Sequence, residues 1–144
     1  MLEFLYEQKL NKGFYGTFAY TLFWSEFKDK NGKYAPSSWD SRHIITFSLG
    51  KKFKKGWELG GRLRSQGGFP YTPTDVATSS LIPVYNAQPE GVLDWNQLNQ
   101  SRLKFFYAFD IRVTKKWAFK QWGLELYLDI QNLTMSKVDQ APTF

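Results

Sequence analysis

Cysteine is absent from the 144 residues, and histidine occurs once, as His43. The first absence excludes a disulfide scaffold and thiolate metal sites. The second leaves a histidine-built metal centre or a Ser–His pair with almost no material. No stretch approaches the roughly 18 consecutive apolar residues that a membrane-crossing helix needs. The opening MLEFLYEQ lacks the basic stretch followed by an apolar run that marks a signal peptide. Neither of these last two absences bears on a β-barrel, whose strands carry a much weaker signal per segment. The glycine pairs Gly60-Gly61 and Gly67-Gly68 are followed by no Lys-Ser or Lys-Thr pair, so no phosphate loop is expected. The reading therefore holds no catalytic residue, no metal ligand and no cofactor, and His43 is expected to sit at a strand start as an interfacial side chain.

Aromatic residues, by contrast, make up 19% of the chain, although the formal charge is +6 and the mean hydropathy is −0.46. Many rings in a polar chain point to a surface that stacks a ligand or one that meets lipid.

The apolar period is 2 rather than 3.6, and it marks six strands at about 3–10, 14–25, 41–53, 57–67, 105–117 and 124–133. The second sets Phe14, Gly16, Phe18, Tyr20, Leu22 and Trp24 against Tyr15, Thr17, Ala19, Thr21, Phe23 and Ser25, six alternations in register. In the fourth, Trp57, Leu59 and Leu63 alternate with Glu58, Arg62 and Arg64. Turns at 11–13, 54–56 and 120–123 are brief, whereas the connections at 26–40 and 68–104 are long. Tight turns at one end of a sheet and extended loops at the other are the arrangement of outer-membrane barrels.

These patterns predict an all-β fold, an antiparallel up-and-down meander of about six long strands that forms part of a transmembrane β-barrel, with residues 1–144 one segment of it. Strands of about 10 to 13 residues exceed the usual five or six of globular sheets and match a tilted bilayer crossing. The polar face is expected to look into the lumen through Glu58, Arg62, Arg64, Asp110, Arg112, Glu125 and Asp129. Asp110 and Glu125, on neighbouring strands, are expected to pair with Arg112, Arg62 or Arg64 rather than to act as acid and base. Trp24, Trp39, Trp57, Phe105, Trp117 and Trp122 are expected to form aromatic girdles at the two membrane interfaces. Within the 68–104 loop, Phe69, Tyr71, Tyr85, Trp95 and Asn96 are candidates for ligand contact.

Two soluble readings compete: a single-stranded nucleic-acid binder and a carbohydrate-binding sheet. The lysines Lys12, Lys51, Lys52, Lys54, Lys55, Lys115, Lys116 and Lys120 gather at the turns. Bases and phosphates would then not share one groove, which argues against nucleic acid as a partner. Six strands also fall short of the roughly eight that the smallest closed single-chain barrels use, so either the chain is a piece of a larger barrel, or partner chains supply strands, or the fold is not a barrel.

Several segments carry a resemblance. Trp39-Asp40 with Arg42-His43 entering a strand, Gly68-Phe69-Pro70-Tyr71-Thr72-Pro73 after the next, Asp110-Ile111-Arg112-Val113 and Asp129-Ile130-Gln131-Asn132-Leu133 stand in an order and spacing that resemble the late strands of TonB-dependent receptors. The resemblance spans roughly residues 3 to 133. It implies a bacterial outer-membrane barrel of about 22 strands with a plug inside, importing a siderophore, cobalamin, glycan or peptide on energy relayed by TonB. Plug and energy-coupling segments are not visible in this sequence, so the chain is read as a fragment: a wall embedded in the lipid bilayer, in contact with the rest of the barrel and the plug, without enzymatic activity.

Overall fold

The computed structural model describes residues 1–30, 32–142 and 144. In chain order they form β1 (Leu2–Asn11), β2 (Phe14–Leu22), β3 (Glu26–Lys28), β4 (Tyr34–Pro36), β5 (His43–Lys52), β6 (Trp57–Gln66), β7 (Pro70–Tyr71), α1 (Val76–Ser79), α2 (Ile82–Ala87), β8 (Ser101–Arg102), β9 (Phe106–Ala118) and β10 (Gly123–Ile130). The chain divides into two compact units.

The first unit, Met1–Leu22, His43–Gln66 and Phe106–Lys137, is a six-stranded sheet in the order β1-β2-β5-β6-β9-β10. Every neighbouring pair is antiparallel, so the expected meander is present. Local chemistry sets each hairpin. Lys12 and Gly13 both take positive φ, 48° and 85°, which is the geometry that lets a two-residue loop follow the twist of its strands. At the third turn, Phe119 donates its amide to the Trp122 carbonyl at 2.8 Å, and the two rings stack at 4.1 Å.

Register follows from these turns, and it joins the alternation of all six strands. Phe4 faces Tyr20, Tyr20 faces Ile45, Phe47 faces Leu63, Leu63 faces Phe109, and Val113 faces Leu128. A one-residue slip in any pair would send that strand's rings to the ionic side. Among the described residues, the buried apolar side chains are only Ala35 and Ala108. The sheet has no central core to bury against. Phe4, Phe47, Leu59, Leu126 and Leu128 are all exposed.

Strand ends depart from expectation for a definite reason. β2 stops at Leu22 rather than at residue 25 because Ser25 donates its amide to the Asp40 carboxylate at 3.2 Å instead of continuing the ladder. β5 starts at His43 rather than at residue 41 because Arg42 has φ 59°, outside the extended region. β10 ends at Ile130, short of residue 133, where Asn132 takes φ 51° and donates its amide to the Asp110 side chain at 2.8 Å.

The second unit, Phe23–Arg42, Gly67–Phe105 and Val138–Phe144, replaces what the periodicity leaves as two long loops. It contains the β3–β4 hairpin, the β7–β8 pair and both helices. Asp75 caps α1, accepting from the Thr78 hydroxyl at 2.5 Å and the Thr78 amide at 3.1 Å. These bonds, the hydroxyl's first, hold its carboxyl below the usual carboxylate range. Asn99 donates its side-chain amide to the Pro36 carbonyl at 2.8 Å, and its backbone amide goes to the Thr72 hydroxyl at 3.1 Å. Short Asn, Ser and Thr side chains do here what ladder bonds do in a sheet.

Candidate functional site: the ionic face of the sheet

The register gathers the charged positions of β6, β9 and β10 on one face. Arg62 stands opposite Asp110, Gly60 opposite Arg112, Arg112 opposite Asp129, and Lys116 opposite Glu125. Glu58 and Arg64 alternate onto the same side of β6. All the residues expected on the polar face therefore share it.

Asp110, 4% exposed, is the hub. Its Oδ2 accepts from Arg62 Nε at 3.1 Å, Arg62 Nη2 at 2.9 Å and Arg64 Nη2 at 3.2 Å. Its other oxygen takes the Asn132 amide. A carboxylate fed by two guanidinium groups and a backbone N–H is a charge-assisted cluster, stronger than neutral bonds of the same length. It ties β6 and β9 to the chain leaving β10. The Asp110–arginine pairing matches expectation. Glu125 differs, because its partner is Lys116 at 3.3 Å. Arg112 stacks over the Tyr127 ring at 4.1 Å.

Tyr15 and Lys116 belong to this face, and pattern reading overlooks both as site residues. Tyr15 donates its phenol to Glu58 at 2.5 Å, crossing β5 to reach β6. It can do so because residue 50 is glycine: a Cβ there would lie 2.1 Å from Tyr15 Cζ. Tyr15 stands opposite Gly50, and Gly50 opposite Gly60. A ring on one strand and bare glycines across the next two was the signal available in the sequence. Gly50→Val is expected to expel the Tyr15 ring and cost about 1–3 kcal/mol, read as a lower denaturant midpoint of the refolded protein. Tyr15→Ala in the same background should recover part of that loss, whereas a drop unaffected by Tyr15→Ala would refute the overlap.

Two shallow grooves run along this face. One, of about 260 Å³, is lined by Ser48, Arg62, Asp110, Arg112 and Asp129. The other, of about 290 Å³, is lined by Tyr15, Glu58, Thr114, Lys116 and Glu125. Carboxylates and cations both line each groove, so this face of the sheet presents polar contacts of either sign. Among the described residues, no group of three or more acidic or histidine side chains is placed to hold a metal ion. His43 lies on the apolar face, where its Nδ1 is 2.9 Å from the Tyr20 hydroxyl.

The aromatic candidates divide between the units. Trp57, Trp117 and Trp122 belong to the sheet unit, and Trp24, Trp39 and Phe105 to the second; all six are exposed. Of the loop candidates, Tyr71 lies on β7, Tyr85 on α2, and Trp95 and Asn96 in the 3₁₀ turn Trp95–Gln97. Phe69 accepts the Leu103 amide at 3.0 Å through its carbonyl. Tyr85 meets Phe144 at 6.3 Å, and Trp95 is exposed.

The second unit has a hub of its own that sequence reading finds only as a motif letter. Asp40, 1% exposed, is bound by Arg102 through both its carboxylate and its carbonyl, by Arg42 Nε at 3.4 Å and by the Ser25 amide. Arg102 also donates to the Gly68 carbonyl at 3.3 Å.

Comparison of this chain with protein-family models, with curated proteins and with solved structures returns no match.

Proposed function

We propose that the six-stranded sheet is a stretch of wall in a bacterial outer-membrane β-barrel of the TonB-dependent receptor kind, with its apolar face in lipid and its ionic face turned inward. The observation that carries this reading is the exposure of one continuous apolar face across six strands, with rings and aliphatic chains such as Phe4, Phe47, Leu59, Trp117 and Leu128 open to the surroundings. Water penalises apolar area by about 25 cal/mol per Å², and monomeric soluble proteins rarely leave a patch above a few hundred Å² uncovered.

Strand length supports it. β6 has 10 residues and β9 has 13; at about 3.3 Å per residue, tilted by about 40°, ten residues cross roughly 25 Å, the height of a barrel's apolar band. The outer edges of β1 and β10, unpaired among the described residues, are where further wall strands join. The wall's partners are then the bilayer, the remaining strands and a plug, with TonB acting through that plug. Its task is mechanical: to carry the lipid boundary outside and polar contacts to plug or solute inside, during uptake of a scarce nutrient.

Nitroxide labels test the orientation. In vesicles, labels at Leu59 and Leu126 are expected to be open to dissolved oxygen and shielded from a water-soluble nickel chelate, while labels at Arg62 and Asp129 show the reverse. A detergent-free, monomeric protein with water-accessible labels at Leu59 and Leu126 would replace this reading by a soluble ligand-binding sheet, for carbohydrate or single-stranded nucleic acid.

A further inference from the structure

The apolar face carries two lysines. Among its paired positions, only Lys51 and Lys115 are charged side chains, and both stand at the short-turn end. Neither has a carboxylate partner among the described residues. Each lies over rings: Lys51 Nζ is 4.3 Å from the Phe14 centroid and 5.2 Å from that of Phe53, and Lys115 Nζ, which also donates to the Lys55 carbonyl, is 5.0 Å from Trp57 and 5.4 Å from Trp117. A ring fixes an ammonium in place without neutralising it.

Beside each lysine the sheet surface is notched. The Lys51 notch, about 400 Å³, is walled by Phe14, Phe47, Leu49 and Phe53, with Gly61 on its lining contributing no side chain. The Lys115 notch, about 470 Å³, is walled by Trp57, Trp117, Leu126 and Leu128. Two unneutralised cations, each beside a greasy slot, are complementary to a molecule with an anionic head and acyl chains.

We propose that this end of the apolar face is a recognition site for an anionic phospholipid, whose acyl chains lie in the two notches and whose phosphate is held by Lys51 and Lys115. The site rests on the membrane reading above and adds a lipid preference to it. A lysine on a lipid-facing strand costs little only near the interface, the level at which a headgroup phosphate lies. Lys12, Lys54, Lys55 and Lys120 in the neighbouring turns add positive potential at the same end, where each cation near an anionic surface contributes about a fivefold gain in binding.

The test uses a variant in which Trp24, Trp39, Trp95 and Trp122 are replaced by phenylalanine, leaving Trp57 and Trp117 as reporters around Lys115. It is placed in phosphatidylcholine vesicles containing dilute brominated lipid, either phosphatidylcholine or phosphatidylglycerol, which quenches tryptophan on contact. Brominated phosphatidylcholine is expected to quench, and phosphatidylglycerol to compete for the site about 5- to 25-fold better. Lys51→Gln with Lys115→Gln should bring that ratio close to one, whereas Gly61→Leu, whose Cβ meets the Phe109 ring at an ordinary 3.5 Å, should weaken binding of both lipids by filling one notch and leave the ratio above one. Quenching by both lipids with a ratio near one, or a ratio that survives both glutamines, overturns the site alone. No quenching by brominated phosphatidylcholine overturns the membrane reading itself, and the site with it.

Discussion

Asp40→Ala is expected to loosen the second unit by about 3 kcal/mol, enough to cut the protection of its amides from hydrogen exchange by roughly a hundredfold. The size follows from what is left behind. Arg102 is bound to the Asp40 carboxylate, the Asp40 carbonyl and the Gly68 carbonyl, and Asp40 itself is 1% exposed. Removing the carboxylate strands a partly buried guanidinium and returns the Ser25 amide to water. Breaking one side of such a pair costs more than removing both sides, so Asp40→Ala with Arg102→Met should be less damaging than Asp40→Ala alone. Exchange at the amides around β3, β4, β7 and β8 reports the loss, with the β6–β9 ladder as internal reference. Unchanged protection in that region would mean that the Asp40 cluster is decorative.

Phe47→Arg carries the other large effect, and its sign depends on the surroundings of the sheet. Phe47 is 40% exposed and stands mid-strand between Phe18 and Leu63. In water, an exchange at such a half-exposed site stays within a fraction of a kcal/mol. Near the middle of a bilayer, an arginine on the lipid side costs about 2–4 kcal/mol, roughly a thirtyfold to thousandfold shift toward the unfolded form. Thr46→Arg, one residue along and on the ionic face beside Arg64, is the control and should be well tolerated. Folding yield and denaturant midpoint in lipid vesicles decide between them. Equal tolerance at 46 and 47 would remove the distinction between the two faces on which the wall reading depends.

The short-range features of this protein were legible at once, and particular residues show why. Trp57, Leu59 and Leu63 fall on one side of β6 and Glu58, Arg62 and Arg64 on the other because side chains alternate along any extended strand. The hairpin at Lys12-Gly13 and the loops' placement between strands followed from equally local cues. Tyr15 was overlooked because its role depends on a gap opened by Gly50 on a neighbouring strand. The 26–40 and 68–104 segments lacked a period because their backbone groups are satisfied by Asp40, Asp75, Asn99 and Thr72 rather than by a repeating ladder.

By itself, then, the sequence determined the strands, their two faces and the short-turn end where the lysines collect, since each is written in contacts between residues at most a few positions apart. Only the tertiary structure decided which charges meet: Arg62 with Asp110, 48 positions away, and Arg102 with Asp40, 62 positions away. A long-range pair exists when register and chain reversal bring two positions together, and no periodicity in either partner's own neighbourhood records that meeting.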